Sequence, residues 1–444
     1  EEKATVKLEE IVVTATRTEK GITQVPASIN VVTQKDIEKD NIQTIDQALQ
    51  TLPGVFDRRG KGLMDTQSSI TLRGIPGQQR TLVLMDGITL NRAYNGTVEF
   101  GGMAPEDVDR IEVARGPFSS LYGGYAMGGV VNILTKMPEK REIAIKGTYG
   151  SDNFWGINTS YGDKFKDKLK VFVSFGYKAT DGFVTDYNVQ ANKPPAGISG
   201  WSLTRTNQAA LRYLIGEKGK NNWFEDHLTL KAEYSFSTTS KMRFSYMRSE
   251  YGYGYDDPET DILNAVRSPI YAYGTVREST YLSGPGGKLQ NIYGIHYETR
   301  LGNITVKASA GLNEFQKSWF ITPDALATRF GGPGKISESP SRAYEGDIQF
   351  TIPLLKSHIV TVGTSYRYNW AETEETNLTY WKDGDSQTKL TYRSRGRDRS
   401  FAVFLQDEIA LHELFTLYLG ARQDWWRAFD GYANDIGKVG YPRQ

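Results

Sequence analysis

Cysteine is absent from the 444 residues, which removes disulfide staples and thiolate metal sites together and suits an oxidising compartment such as a periplasm. Long apolar runs are missing as well. The longest pieces resemble Gly129-Val130-Val131-Asn132-Ile133-Leu134, and mean hydropathy is -0.49, whereas a membrane helix needs about 18 consecutive apolar residues. This excludes a helical membrane protein but not a β-barrel, whose alternating strands average out to a polar composition. Net charge is scarce: 53 Lys+Arg stand against 52 Asp+Glu, with no run of five or six like charges, so nucleic acid is not an expected partner. Only four histidines occur, His227, His296, His358 and His412, with no HExxH pair. No GxSxG elbow is present, and Gly334-Lys335-Ile336 lacks the hydroxyl residue that a phosphate loop needs after its lysine. No enzyme, cofactor or resident metal is expected. No signal peptide opens the chain at Glu1, which leaves a cytosolic protein or an already processed mature form.

What is present falls into two regimes that meet near residue 137. The first is mixed α+β and rich in glycine. Residues 43–52 put Ile45, Leu49 and Leu52 on one helical face before Pro53-Gly54 stops the helix. Thr81 to Gly87 reads as a buried strand ending in an Asp-Gly turn, and Ile111 to Pro117 as a second strand.

From Arg141 onward the hydrophobic period is 2. Ile304, Val306, Ala308, Ala310 and Leu312 share one face, with Thr305, Lys307, Ser309, Gly311 and Asn313 on the other. Residues 170–178, 228–237 and 415–424 repeat the pattern. An apolar face backed by a polar one suits a lipid-facing wall around a polar lumen, and a soluble β-sandwich alternates too. Connection lengths separate the two. About eleven strands are expected, near 142–149, 154–162, 168–179, 227–237, 241–250, 290–300, 302–313, 343–352, 358–370, 398–410 and 414–426. After a first link at 150–153, tight turns alternate with long connections at about 180–226, 251–289, 314–342, 371–397 and from 427 on. Short turns at one rim and long loops at the other are the pattern of an outer-membrane barrel.

The residues then carry a resemblance. Leu8-Glu9-Glu10-Ile11-Val12-Val13-Thr14-Ala15-Thr16-Arg17 resembles the TonB box of TonB-dependent outer-membrane receptors. Pro26-Ala27-Ser28-Ile29, Leu52-Pro53-Gly54-Val55, Leu72-Arg73-Gly74, Val83-Leu84-Met85-Asp86-Gly87 and the string IEVARGPFSSLYGGYAMGGVVNILTK at Ile111 to Lys136 follow in the family's order. The resemblance implies an all-β membrane barrel of about 22 strands around an N-terminal α+β plug. It implies a TonB box and mobile segment over 1–18, the plug over 19–137 and the first half of the barrel over 138–444. It further implies import of a ferric siderophore, driven by the inner-membrane TonB complex pulling on Glu10, Ile11, Val12, Val13, Thr14 and Ala15. Cobalamin, other metal chelates and glycans are the family's other cargoes, and haem is disfavoured for want of histidine motifs. A surface adhesin or a bacteriocin and phage receptor is the rival role, and a soluble carbohydrate-binding β protein a third.

An extended N-terminal segment with free backbone groups can add as a strand to a partner's sheet edge and transmit a pull. The resemblance gives Arg73 and Arg115, with Glu112, a role in locking the plug to barrel-wall glutamates. Glu233 and Glu345 lie on predicted lumen faces, and a local pair with Glu112 or Asp86 is the alternative. For the cargo, Arg59, Gln79, Arg80, Arg92 and Tyr94 fall in expected plug-apex loops, and Tyr253, Tyr255, Trp319 and Trp381 in outer loops. Arginine and tyrosine suit an anionic, aromatic iron chelate, while solvated loop positions and interfacial aromatics are the plain alternatives. Asp256, Asp257 and Asp261 have calcium-binding chemistry, with a solvated acidic loop the simpler reading. Eleven strands would leave two open edges in lipid. The chain is therefore expected to be half of a longer receptor whose remainder is absent or a separate chain.

Overall fold

The structure, a computed structural model, describes residues 11–435 except 13, 15, 19, 26, 60–66, 78, 356, 413 and 414. The N-terminal part is built on a five-stranded sheet. Its strands are β1 (Ser28–Thr33), β2 (Thr81–Met85), β3 (Ile88–Thr89), β4 (Val108–Arg115) and β5 (Gly129–Thr135), in the spatial order β1-β4-β5-β2-β3. β5 runs parallel to β2 and antiparallel to β4. β2 and β3 form a two-residue hairpin over Asp86 and Gly87, both at positive φ (49° and 90°), the backbone that Asp-Gly is suited to supply.

Two short helices cover the sheet. α1 (Gln34–Lys39) starts at a capping box in which Thr33 and Asp36 satisfy each other's backbone N–H groups, and those hydrogen bonds hold the Asp36 carboxyl below its ordinary range. α2 (Ile45–Gln50) buries Ile45 and Leu49, and Leu52 packs beside them. Val32, Leu72, Val83, Ile111, Val113, Val131 and Ile133 complete a core that Met247 and Ile292 of the barrel wall also enter.

The wall is a meander of eleven long antiparallel strands: β6 (Glu142–Tyr149), β7 (Trp155–Phe165), β8 (Leu169–Val184), β9 (Lys220–Ser235), β10 (Ser240–Tyr255), β11 (Gly286–Leu301), β12 (Ile304–Pro323), β13 (Ser341–Leu354), β14 (His358–Leu378), β15 (Gln387–His412) and β16 (Phe415–Asp435). Each pairs with its chain neighbour, and β6 and β16 do not pair with each other. Ile143, Ile145, Phe175, Phe244, Ile295, Phe401 and Leu417 stand exposed on the outside, while Asn158, Ser174, Thr229, Lys231 and Glu233 are buried inward against the plug. No helix among the described residues is long and apolar enough to cross a membrane.

The strands outrun the sequence expectation at the long-loop rim, where β14 reaches Leu378 and β15 begins at Gln387. The expected loops 180–226 and 251–289 also carry structure of their own. Tyr187–Gln190, Ser202–Arg205, Leu211–Glu217 and Glu259–Thr260 form a small sheet over a core of Ile215, Ile262, Val276 and Tyr281. Apolar residues in those loops find partners in each other rather than in the plug.

Candidate functional site

The N-terminal segment is fastened to both bodies of the molecule. Ile11–Val12 pairs antiparallel with Lys20–Gly21, and Val12 is fully buried. The Thr14 backbone N–H and hydroxyl both donate to one oxygen of Glu112, at 3.0 and 2.6 Å, and Arg110 pairs with the other oxygen at 3.0 Å. The Tyr122 hydroxyl donates to the Thr14 carbonyl at 3.0 Å. Burial pushes this phenol up to about 12, so it stays a donor.

Three residues on, Arg17 crosses to the wall. Its guanidinium lies 4.5 and 4.6 Å from the Tyr122 and Phe404 ring centroids and grips both oxygens of Asp347 at 3.0 and 2.8 Å. Burial disfavours the charge, but Asp347 outweighs it and raises the Arg17 pKa. Lys20 then pairs with Glu408, and the Tyr418 hydroxyl donates to the Gln24 carbonyl. Of the expected TonB-box residues, Ile11, Val12 and Thr14 lie in this strap; Glu10, Val13 and Ala15 lie outside the described residues.

Arg17 and Lys20 of the strap hold wall carboxylates, but the arginines expected to do so from the plug strands do not. Arg115 turns into the plug, donating to the Pro53 carbonyl, Ser28 Oγ and Asn30 Oδ1, and Arg73 sits exposed at φ 53°, with no ion pair to the wall among the described residues. Wall cations already serve the candidate glutamates: Glu233 pairs with Arg243 and Lys170, and Glu345 with Arg367 while accepting from the Thr89 N–H. Glu112 holds Thr14 and Arg110 and links to neither Arg73 nor Arg115 by any of these contacts.

Plug carboxylates meet wall lysines instead. Asp86 meets Lys231 at 2.9 Å, Glu99 meets Lys288 at 2.6 Å and Glu106 meets Lys146 at 2.6 Å. Burial raises the Asp86 carboxyl, yet Lys231, Arg243 and two hydrogen bonds from Thr135 outweigh it and bring it down to about 2. Asn313 adds amide hydrogen bonds to the Thr89 and Leu90 carbonyls, and Arg367 one to Asn91.

The cargo candidates divide. Gln79, Arg80 and Tyr94 are exposed on the plug, Arg80 reaching the Met127 sulfur at 3.1 Å. Arg59 is tied to Asp46 within the plug. Arg92 is buried, donates to Ser339 and Ser341 of the wall and lies 4.5 Å over the Phe315 ring, so it positions the plug. Tyr253 and Tyr255 form a row with Tyr251 on one face of β10, centroids 6.0 and 6.2 Å apart, and Tyr255 donates to Asp186. Trp319 and Trp381 pack with Leu282, Ile321, Ile336 and Leu378, and the Trp381 indole donates to the Thr328 carbonyl. Asp256, Asp257 and Asp261 are exposed, Asp257 pairing with Lys382, and no trio of metal-ligating side chains converges among the described residues.

Sequence reasoning missed Arg17, Asp347, Tyr122 and the wall lysines. Arg17 had a signal, since it completes the N-terminal string. The others are partners over long chain separations that no spacing rule connects.

Comparison with known proteins fits this geometry. Residues 22–130 match the model of the TonB-dependent receptor plug domain. A protein named vitamin B12 transporter BtuB from Vibrio vulnificus is 33% identical over 229 residues, 51% of this chain and 36% of that protein. Its namesake from Vibrio cholerae is 34% identical over 211 residues, 46% and 33% of the two chains. The chain thus spans about a third of the length of the curated relatives it matches. Among solved structures, the ferripyoverdine receptor of the outer membrane of Pseudomonas aeruginosa superposes with a TM-score of 0.66 at 12% identity, covering 98% of this chain and 56% of that one. The siderophore receptor PiuA from Acinetobacter baumannii gives 0.63 at 16%, covering 95% and 61%. At such identities the structural likeness concerns the fold. The relatives that the chain matches are receptors and transporters, and with the strap, the plug and the partial wall in place, residues 22–130 are a TonB-dependent receptor plug domain set inside part of a barrel of the fold that those outer-membrane receptors have.

Proposed function

We propose that this protein serves active import of a bulky metal chelate across the outer membrane, with TonB pulling on residues 10–15. The observation that carries the reading is the strap: Thr14 is held by Glu112 and Tyr122 of the plug, and Arg17 by Asp347 of the wall. Tension on the segment just before it loads the plug directly. A β-prone stretch such as Ile11-Val12 is suited to strand addition by a partner.

A ferric siderophore is the first cargo reading. Its support is the exposed Arg80 and Tyr94 on the plug, which offer charge-assisted hydrogen bonds and stacking to an anionic aromatic chelate. Cobalamin is the second, favoured by the names of the relatives at 33% and 34% identity. Bacteriocin binding is a further role for the same outer surface; one structural neighbour is a receptor solved with pyocin S2.

Two measurements test this. Deleting residues 10–15 should abolish uptake while leaving cargo binding intact; uptake that survives the deletion rules out TonB-driven import. Titration of the receptor with catecholate and hydroxamate ferric siderophores and with cobalamin, followed by tryptophan quenching, names the cargo. Quenching by cobalamin alone would replace the siderophore reading, and silence to all would return the surface to an adhesin role.

A further inference from the structure

The outward face of β15 changes character along its length. Phe401, Val403 and Leu405 are exposed, while Ala402 and Phe404 are buried inward, where Phe404 receives Arg17. The two-residue period continued toward the long-loop rim places Arg399, Arg397, Arg395 and Arg393 on that same outward face. Phe401 and Trp425 stack at 5.7 Å just below the row, and Tyr368 and Phe429, 6.3 Å apart, stand beside it at the heights of Arg399 and Arg397, aromatics interleaved with arginines as at a membrane interface.

Carboxylates serve only part of this row. Glu372 and Glu374 pair with Arg393, and Asp430 sits 3.4 Å from both Arg395 and Arg397. Arg399 has none: it lies 5.7 Å over the Phe429 ring and is registered directly opposite Arg427 of β16. Neither arginine pairs with a carboxylate among the described residues. Like charges directly opposite each other weaken a strand pair, and two guanidinium forks on one face match the oxygens of a phosphate.

We propose that Arg399 and Arg427, with Arg397 beside them, bind the phosphate groups of phosphorylated lipid in the outer leaflet. Phe401 and Trp425, one step below the arginines, hold the acyl region of such a lipid, which fixes the depth of the headgroup. The site is independent of the cargo and of TonB, because it faces away from the lumen.

The test uses the intact receptor in lipid-free detergent. Diphosphorylated lipid A, its dephosphorylated form and inorganic phosphate are added separately, and bound lipid is counted by native mass spectrometry. Diphosphorylated lipid A should bind at least tenfold more tightly than the dephosphorylated form. R399Q/R427Q should erase that preference, and R399K/R427K should retain part of it, while cargo binding stays intact and reports a folded barrel. R427E offers Arg399 a carboxylate, so it should raise the thermal midpoint without lipid and also weaken lipid A binding. Equal binding of the two lipids, an unchanged preference in R399Q/R427Q, or full displacement of lipid A by millimolar inorganic phosphate would each overturn the proposal.

Discussion

Single side chains decide how the N-terminal strap is held. Glu112 is completely buried and takes two hydrogen bonds from Thr14 through one oxygen; hydrogen bonds to a charged group contribute about 1.5–3 kcal/mol each. Glu112→Ala should therefore raise the open population of the segment by roughly tenfold or more, at about 1.4 kcal/mol per factor of ten. The chain has no native cysteine, so Val12→Cys gives a clean probe: its maleimide labelling rate should rise when Glu112→Ala is added, and an unchanged rate would discount the clamp. Asp86 makes a different prediction. Asp86→Asn leaves Lys231 buried without its counter-charge, which costs about 3–5 kcal/mol. The carboxyl titrates at about 2 when folded against 3.8 in its ordinary state. Its stabilisation is thus complete above about pH 4 and is lost as pH falls through 2. The difference in thermal midpoint between wild type and Asp86→Asn should be flat from pH 8 to 5 and shrink below 4.

At the scale of elements, what could be read from sequence follows the range of the interaction. The Asp86-Gly87 turn, the helix over Ile45–Gln50 and the eleven wall strands rest on local period and turn chemistry, and the structure contains each of them. The small sheet built from Leu211–Glu217 with Glu259–Thr260 pairs two separate loops, and the wall partners of Asp86, Glu99 and Arg17 come from strands far along the chain. Sequence spacing says nothing about which strand faces the plug at a given height, so the lock was expected at Arg73 and Arg115 rather than at Asp86, Glu99, Glu106 and Arg17. One element-level fit explains a glycine. A Cβ on Gly311 would fall 2.6 Å from Ile88 Cδ1, and one on Gly294 3.2 Å from Ile88 Cγ1. The wall is notched there to receive the β2–β3 hairpin. Gly311→Val overfills the notch and should destabilise the plug by about 1–3 kcal/mol, seen as faster limited proteolysis of the plug. Gly147→Ala, where nothing lies within 4 Å, should leave proteolysis unchanged. Equal behaviour of the two variants would mean that the hairpin does not depend on the notch.

For the whole molecule, the governing fact is that the wall is not closed on itself. β6 pairs only with β7 and β16 only with β15 among the described residues, leaving two rows of backbone N–H and C=O groups facing sideways. In water such edges are a liability for aggregation; in hydrocarbon each unsatisfied group costs several kcal/mol, which is why spanning sheets are closed barrels. The outward side chains make retreat into water equally unfavourable, since Ile143, Ile145, Phe175, Phe401 and Leu417 are exposed by 41–74%. The plug does not compensate. It occupies the lumen, is locked to the inner wall by Asp86, Glu99, Glu106 and Arg17, and covers neither edge with a strand of its own. The 444-residue chain refolded alone into detergent should therefore give no sharp heat-modifiable band on electrophoresis and should elute as a broad, concentration-dependent distribution. Joining it to barrel strands that pair with both edges, taken from the second half of one of the receptors it resembles, should restore a single heat-modifiable species. A monodisperse, heat-modifiable barrel from the chain alone would require β6 and β16 to meet, which eleven strands allow only by expelling the plug. Protease sensitivity of residues 28–135 in that species would decide whether this had happened.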